Sequence, residues 1–181
     1  MEYGESSYRR FLAGAPDAFD EIWKEYRYAL TFFIHRYVGN ITVAEDLAID
    51  VFVYVLTHPR RYHFRVSLKT YLFMLGRSRA LDWLRHRNRF PETDLSEAEG
   101  GEDRETLEET VLADEEKRLL NAALARLPEE MRAAVHLVYF EGLSYEEAAK
   151  VLKKDKKRID NLLYRAKGIL REQLGKEGYT L

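Results

Sequence analysis

The feature that most constrains the fold is a run of helix signals between residues 142 and 174. Ser144 and Glu147 have the spacing of a capping box, and a short apolar face follows them. After a turn of two lysines, Asp155 is placed to cap a second helix, whose apolar residues recur at the i, i+3, i+4, i+7 spacing. Two short helices joined by a tight turn form a helix-turn-helix, which places its second helix in the major groove of DNA.

The second helix of this pair has a polar and basic face opposite its apolar stripe. Such a face predicts contacts with base edges and phosphates of duplex DNA. A short basic helix pair that never touches DNA is the alternative explanation of this segment taken by itself. The side chains on the polar face are Lys157, Asn161, Tyr164 and Arg165.

Amphipathic helices are also predicted in the first half of the chain. One begins near Asp17, after a proline, and ends where a glycine–asparagine pair begins at Gly39. Another opens with a capping box formed by Thr42 and Glu45 and ends near Pro59. A further helix, with Ser67 as its N-cap, ends before residue 91, and the three helices predict one small bundle.

Residues 91–116 contain many acidic side chains, a glycine pair and almost nothing to bury, which predicts a flexible linker that is helical at most towards its end. Apolar periodicity returns after this segment, and no strand-like alternation of useful length occurs anywhere. We therefore expect an all-α chain of two small helical domains. Their expected bounds are residues 1–90 and residues 117–181, joined by the acidic linker.

Charge is arranged in blocks, although the whole chain has a net charge of only −2. Residues 60–89 carry nine basic side chains and one acidic one, and residues 117–176 carry fourteen and eight. Residues 90–116 between them carry one basic and twelve acidic side chains. Two basic modules beside an acidic strap suit a protein that contacts a polyanion twice, whereas solvated helix faces and a disordered linker are the simpler alternative.

Arginines alternate with aromatic residues between residues 58 and 89. This mixture is typical of proteins that hold single-stranded nucleic acid, because cations follow the backbone while aromatic faces stack on unpaired bases. Tyr62 and Phe64 lie in a loop, so we expect them to be available for stacking. Three aromatic residues of the following helix, Tyr71, Phe73 and Trp83, are expected to pack in the core.

Both modules resemble those of a known family, the sigma factors of bacterial RNA polymerase. Residues 44–52, AEDLAIDVF, look like the acidic and apolar helix that docks on the clamp coiled coil of the polymerase. Residues 64–85, FRVSLKTYLFMLGRSRALDWLR, look like the adjoining strip that opens and reads the minus-ten promoter element. Residues 123–152, ALARLPEEMRAAVHLVYFEGLSYEEAAKVL, with RAKGILREQL at 165–174, look like the region that binds the minus-thirty-five element.

The resemblance covers nearly all of both modules, and the extra domains of housekeeping sigma factors are missing, which implies the compact extracytoplasmic-function class. Such a protein binds core RNA polymerase, recognises promoters and supports DNA opening and transcription initiation in the cytoplasm, without catalysis, metal or cofactor of its own. By the resemblance, Asp46 and Asp50 face the polymerase. The residues expected near minus-ten DNA are Arg60, Arg61, Tyr62, Phe64, Arg65, Lys69 and Arg77. Those expected at the minus-thirty-five duplex are Lys157, Arg158, Asn161 and Arg165.

The chain departs from the family pattern at positions that bear on promoter choice. Lys153 and Lys154 replace the usual glycine and aliphatic residue of the turn, and Lys157 and Arg158 replace a small pair at the start of the recognition helix. Promoter preference therefore does not transfer from the family. Restraint by an anti-sigma factor is common in the class, and its existence here stays open. The acidic linker would either lie in a basic RNA channel of the polymerase or act as a spacer.

Two other functions compete with this one. A conventional helix-turn-helix regulator would bind promoter DNA without polymerase, but it would usually need a dimer interface, and no sustained heptad seam is present. A metal-dependent hydrolase would use the acidic linker, but the carboxylates there lack ligand spacing and a nearby histidine.

Asp82 is expected to pair with Arg79 or Arg85, one turn away on the same helix, instead of acting as an acid. No apolar run is long enough to insert in a membrane.

Overall fold

The computed structural model describes residues 3–15, 17–89 and 111–176, and the regular structure in these ranges is helical throughout. The chain divides into two compact units, residues 1–101 and 102–181. The all-α fold of two helical units is therefore confirmed. The finer bounds of the domains and the linker stay a prediction, and residues 91–110 of that linker lie outside the described residues.

Each unit is built from helices joined by short connections. The helices described in the first unit are α1 (Tyr3–Leu12), α2 (Ala18–Val38), α3 (Ile41–Thr57) and α4 (Leu68–Arg89), with a 3-10 turn at Pro59–Arg61. The helices described in the second unit are α5 (Val111–Ala125), α6 (Glu129–Val135), α7 (Tyr145–Leu152) and α8 (Lys156–Lys176).

Helix α2 is central to the first unit, since it contacts α1, α3 and α4. Its inner face is fully buried at Leu30, Phe33 and Ile34, and each such side chain contributes about 1.5–3 kcal/mol when it leaves water. Gly76 lets α4 cross close to this face, because a Cβ at that position would lie 2.7 Å from Leu30 Cδ1. The N-terminus of α4 is fixed as expected, since the Ser67 hydroxyl accepts a hydrogen bond from the Thr70 N–H at 3.2 Å.

The junction between α2 and α3 corrects one prediction. Gly39 ends α2 in the left-handed conformation, at φ 70°, as the sequence indicates. The predicted capping box at Thr42 is wrong, because Asn40 Oδ1 accepts the hydrogen bond from the Val43 N–H at 3.0 Å. Helix α3 therefore begins one residue after Asn40, and Thr42 already lies inside it.

Helix α1 is not predicted by the sequence, and it packs on α2 and α4. Tyr8 is its anchor, with a fully buried ring. Glu21 of α2 also holds this helix, since it accepts hydrogen bonds from Ser7 at 2.7 Å and from Arg10 at 2.8 Å. These bonds hold the pKa of Glu21 below its usual range, the bond from Ser7 having the larger effect. Tertiary contacts therefore hold a helix that has no strong N-cap signal.

The helix-turn-helix of the second unit is confirmed. The Ser144 hydroxyl accepts from the Glu147 N–H at 3.2 Å and Glu147 accepts from the Ser144 N–H at 3.0 Å, which completes the capping box. Lys153 forms the turn in the left-handed conformation, at φ 54°. Asp155 then caps α8, since its Oδ1 accepts from the Arg158 N–H at 2.7 Å.

A π-helical turn at His136–Phe140 continues α6, and the sequence does not predict it. The Glu141 N–H donates to the His136 carbonyl at 3.0 Å, which is the i to i+5 pattern of such a turn. His136 is buried, and its Nε2 lies 3.2 Å from Glu141 Oε1. The turn therefore brings the Glu141 carboxylate next to the imidazole Nε2.

Candidate nucleic-acid and protein interfaces

The outward face of α3 combines carboxylates with apolar side chains. Asp46 and Asp50 are exposed and lie one turn apart. Ile49, Val53 and Leu56 are exposed by 46%, 50% and 45% on the same side of the helix. The opposite face of α3 packs in the core. A stripe that is both acidic and apolar suits a protein partner, because phosphates would be repelled and apolar surface is costly to leave in water.

The loop between α3 and α4 is strongly basic. Arg60, Arg61 and Arg65 are exposed. Two of them line an open depression of about 390 Å³ beside the 3-10 turn, whose lining residues are Thr57, His58, Pro59, Arg60 and Arg61. Cations around a depression at the surface are suited to a nucleic-acid strand that places a phosphate or a base there.

Tyr62 is placed differently from its expected position on the loop surface. The side chain is only 4% exposed, and its hydroxyl donates a hydrogen bond to the Val66 carbonyl at 2.7 Å. The ring packs edge-on against Tyr8 at 5.0 Å and lies 5.1 Å from Tyr71. A ring enclosed in this way has no free face for a base, so the expectation of stacking is wrong for Tyr62 in this conformation. Tyr62 instead supports the loop from beneath.

Phe64 is the aromatic residue of this loop that reaches the surface, where it is half-buried. Its backbone is left-handed, at φ 56°, which is uncommon for an aromatic residue. The ring lies 4.6 Å from Tyr62, and the guanidinium carbon of Arg9 lies 4.1 Å from its centroid. Arg9 was not among the expected site residues, because the sequence does not show that α1 reaches this loop.

The candidate residues of α4 are less accessible than those of the loop. Lys69 and Arg77 are both half-buried, and the Lys69 ammonium lies 5.9 Å from the Phe73 ring centroid. Phe73 is fully buried, as expected, whereas Trp83 is half-buried, with the Arg87 guanidinium 5.3 Å from its centroid.

Other polar groups of this helix pair with their own neighbours. Asp82 lies 2.6 Å from Arg85, which confirms the expected ion pair. Asp82 is therefore an ion-pair partner on the helix surface.

Tyr71, expected in the core, is half-buried beside the loop, and burial raises the pKa of its hydroxyl.

Helix α8 presents a continuous polar face. Lys157, Arg158, Asn161 and Arg165 are exposed along it. Tyr164 is the most exposed aromatic residue described, at 80%. Ile159, Leu163 and Ala166 on the opposite face are buried against the rest of the unit. The helix thus offers hydrogen-bond donors, an amide and a ring on one surface, which is the side-chain chemistry of a major-groove reader.

Glu130 of α6, which the sequence did not single out, holds part of this basic face. Its carboxylate lies 2.7 Å from Lys154 Nζ and 3.3 Å from the Arg158 guanidinium. The hydrogen bond from Lys154, supported by that from Arg158, holds the pKa of Glu130 below its usual range. One carboxylate therefore ties both the turn between α7 and α8 and the start of α8 to α6. Arg158 is consequently more constrained than Lys157.

Two other kinds of site, a metal centre and a membrane span, are not found in the part of the chain that the structure describes. Within residues 3–15, 17–89 and 111–176, no group of three His, Asp or Glu side chains is placed to hold a metal ion. None of the helices in these ranges is long and apolar enough to cross a membrane.

Two family regions match the chain, one in each unit. Sigma-70 region 2 matches residues 22–90, and Sigma-70, region 4 matches residues 117–170. RNA polymerase sigma factor YlaC of Bacillus subtilis is 24% identical over 166 residues, which cover 88% of this chain and 94% of that protein. ECF RNA polymerase sigma factor SigX of the same organism is 26% identical over 163 residues, which cover 87% of this chain and 84% of that protein.

A solved structure has the same fold. The sigma factor RpoE of Bartonella quintana, in complex with the anti-sigma factor NepR, matches with a TM-score of 0.69 and 21% sequence identity. The match covers 88% of this chain and 98% of that one.

Proposed function

Because the chain belongs to the sigma-70 family, in its extracytoplasmic-function (ECF) class, we infer that it binds core RNA polymerase and directs promoter recognition and transcription initiation. The observation that carries this conclusion is the match of regions 2 and 4 to separate units of one chain. A conventional helix-turn-helix regulator would be expected to match in its DNA-binding part alone. The chain acts by binding, and we assign it no catalytic step or cofactor of its own.

We assign polymerase docking to the outward face of α3. Asp46 and Asp50 supply charge on that face, and Ile49 and Val53 supply apolar area between and beyond them. Carboxylates steer an encounter with a basic partner surface, while the apolar side chains stabilise the complex once water is expelled. The face is too acidic to serve as a DNA surface, which separates this role from those of the basic elements.

We assign the melted minus-ten strand to the loop between α3 and α4. The exposed cations Arg60, Arg61 and Arg65 are suited to follow the phosphate backbone, and Phe64 is suited to contact an unpaired base. Lys69 and Arg77 lie on the following helix and would contribute less, because both are half-buried. Tyr62 acts here as the support beneath Phe64.

We assign the minus-thirty-five duplex to α8. The exposed cations Lys157 and Arg165 are suited to bind phosphates, and Asn161 offers an amide that can read an adenine edge. Arg158, in the first turn of α8, would contact the duplex beside its ion pair with Glu130. A factor of this kind works in the bacterial cytoplasm, where the polymerase and the chromosome are. We also propose that an anti-sigma factor can restrain the chain by covering one of these exposed faces, since the Bartonella quintana relative was solved in such a complex.

Association with polymerase distinguishes this function from that of a conventional regulator. Purified chain mixed with bacterial core polymerase should co-elute in gel filtration as a complex of one chain per enzyme. The control is the chain in which Asp46 and Asp50 are replaced by alanine, which should elute largely free. Specific binding to promoter DNA without any association with core polymerase would support the regulator instead.

A further inference from the structure

Helix α1 closes over the loop that is assigned to the minus-ten strand. The Tyr8 hydroxyl donates a hydrogen bond to the Pro59 carbonyl at 2.8 Å, across a sequence separation of 51 residues. Burial raises the pKa of Tyr8 to about 12, so this hydroxyl keeps its proton in any physiological buffer. The Tyr8 ring also packs edge-on against Tyr62 at 5.0 Å and against Phe64 at 6.0 Å. One side chain of α1 therefore contacts the loop at Pro59, Tyr62 and Phe64.

Arg9, the next residue of α1, acts on the exposed side of the same loop. Its guanidinium carbon lies 4.1 Å from the Phe64 ring centroid, within the range of a cation–π contact. Arg9 itself is exposed, so its charge faces solvent as well as the ring. The aromatic side chain that is available to an unpaired base is thus in direct contact with a cation from a different helix.

The backbone of Phe64 shows why such contacts are needed. A left-handed φ of 56° is disfavoured for an aromatic residue, so the local sequence alone does not hold this conformation. The ring is held by contacts with Tyr62, at 4.6 Å between the ring centroids, and with the Arg9 guanidinium, at 4.1 Å. Because both Tyr62 and Phe64 pack on Tyr8, the conformation of the loop depends on α1 being in place.

Helix α1 lies outside the part of the chain that matches Sigma-70 region 2, which begins at residue 22. We propose that α1 is a positioning element for promoter-strand recognition, in which Arg9 and Tyr8 hold Phe64 in the conformation that accepts an unpaired base. The proposal rests on the assignment of this loop to the minus-ten strand. It makes base preference in the melted strand depend on residues that precede the matched region.

Selection from random DNA tests the proposal and needs no promoter of defined sequence. The full chain, assembled with core polymerase, is incubated with short single-stranded DNA of random sequence, and the bound fraction is sequenced. A pool of random duplex DNA, presented to the free chain, reports on α8 in parallel. The variants are Arg9→Ala, Arg9→Lys and Tyr8→Phe. The matched control is Arg10→Ala, which removes the same charge from the neighbouring position, where the side chain pairs with Glu21.

The expected result is a loss of base preference that is confined to the single-stranded pool. Arg9→Ala and Tyr8→Phe should each reduce the enrichment at one or two adjacent positions by about two- to five-fold, the factor corresponding to one cation–π contact or one hydrogen bond. Arg9→Lys should restore part of the preference, and Arg10→Ala should leave it unchanged. Preference in the duplex pool and polymerase binding should not change beyond their experimental error. The melting temperature should be unchanged in the Arg9 and Arg10 variants, whereas Tyr8→Phe should lower it by a few degrees, because a buried hydrogen bond is lost.

Other outcomes overturn the proposal. If wild type selects bases and the Arg9 and Tyr8 variants select them equally well, α1 has no positioning role. If Arg9→Ala binds the single-stranded pool more tightly, Arg9 is a cover over Phe64 and not a support. If Arg10→Ala flattens the preference as much at an unchanged melting temperature, so that α1 is still docked, the effect is one of overall charge. If wild type itself shows no preference in the single-stranded pool, the minus-ten assignment fails and this proposal fails with it.

Discussion

The Glu130 carboxylate of α6 lies 2.7 Å from the Nζ atom of Lys154, in the turn between α7 and α8, and so links that turn to α6. Its second contact, to Arg158 at 3.3 Å, reaches the first turn of α8. The pair is partly exposed, so its contribution to the free energy of unfolding at neutral pH should be small, about 0–1 kcal/mol. Its pH dependence is the more informative property.

Glu130→Gln should make the second unit less sensitive to acid. The pKa of Glu130 is held below the ordinary 4.5, chiefly by the hydrogen bond from Lys154. A carboxyl group with a lowered folded-state pKa stabilises the protein above its unfolded pKa, and this contribution is lost as pH falls through the folded pKa. The melting temperature of wild type should therefore fall more steeply below pH 4.5 than that of the variant. Glu129→Gln, on the same turn, is the control, and equal slopes for wild type and Glu130→Gln would contradict this role of the carboxylate.

Gly76→Ala should destabilise the first unit by about 1–2 kcal/mol, because the added methyl group overpacks a closed core. The new Cβ would lie 2.7 Å from Leu30 Cδ1, and Leu30 is fully buried. Gly168→Ala is the matched control in α8, where nothing lies within 4 Å of the added atom. That change should stabilise by about 0.5–1 kcal/mol through helix propensity alone. Chemical denaturation of the full chains followed by circular dichroism measures both, and a stabilised Gly76→Ala would show that the α2–α4 contact is looser than described.

Substitutions at Tyr62 and Phe64 should separate support of the loop from contact with DNA. Tyr62→Phe removes the hydrogen bond to Val66 and should cost about 0.5–1.5 kcal/mol of stability, since a partly buried carbonyl loses its donor. Phe64→Ala should instead weaken binding to single-stranded promoter DNA by about 1–3 kcal/mol, the usual value of one stacked base. Denaturation and fluorescence anisotropy measure the two effects. A Tyr62→Phe chain of unchanged stability would contradict the supporting role.

The extent to which sequence predicted this structure depends on how local each signal is. Ser144, Glu147 and Asp155 act within one turn of their own helices, so their caps could be predicted from spacing alone. The burial of Tyr62 is set by Tyr8, more than 50 residues earlier, and a pattern read along the chain does not contain that contact. The same holds for Arg9, whose partner in the loop is known only once α1 is placed.

Two local predictions also show where neighbouring signals compete. Thr42 and Glu45 have the spacing of a capping box, but Asn40 is two residues earlier and caps the helix first. The π-helical turn at His136–Phe140 inserts one residue into a helix whose apolar pattern is otherwise ordinary. The acidic character of α3 and the basic character of α8, by contrast, are evident from the sequence, since exposed charge needs no tertiary contact to be present.

The acidic face of α3 and the basic face of α8 should respond to opposite substitutions. Replacing Asp46 and Asp50 with alanine should weaken binding to core polymerase and leave the affinity for duplex DNA unchanged. Replacing Lys157 and Arg165 should do the converse, and each lost phosphate contact should lower the magnitude of the salt slope of DNA binding by about one unit. Competition for core polymerase and anisotropy with duplex DNA over a range of salt concentrations measure the two effects.

Controls for that experiment come from the same chain. Asp20→Ala removes an exposed acid from α2, and Arg171→Ala removes an exposed cation further along α8. Asp20→Ala should leave the affinity for core polymerase unchanged. Arg171→Ala should leave the affinity for duplex DNA unchanged. The assignment of surfaces is wrong if the acidic pair proves necessary for duplex binding, or the basic pair for polymerase binding, in chains that melt at the wild-type temperature.

Run-off transcription from sheared genomic DNA of the source organism shows whether the chain directs initiation at promoters. Core polymerase is supplied with the chain, and the 5′ ends of the transcripts are sequenced. With wild type, the starts should cluster at sites that share two short motifs upstream, and no such clusters should appear with core polymerase alone. The Asp46 and Asp50 double variant should abolish the clusters. Starts that are equally distributed with and without the chain, although the chain binds DNA and is folded, would contradict a role in promoter-directed initiation.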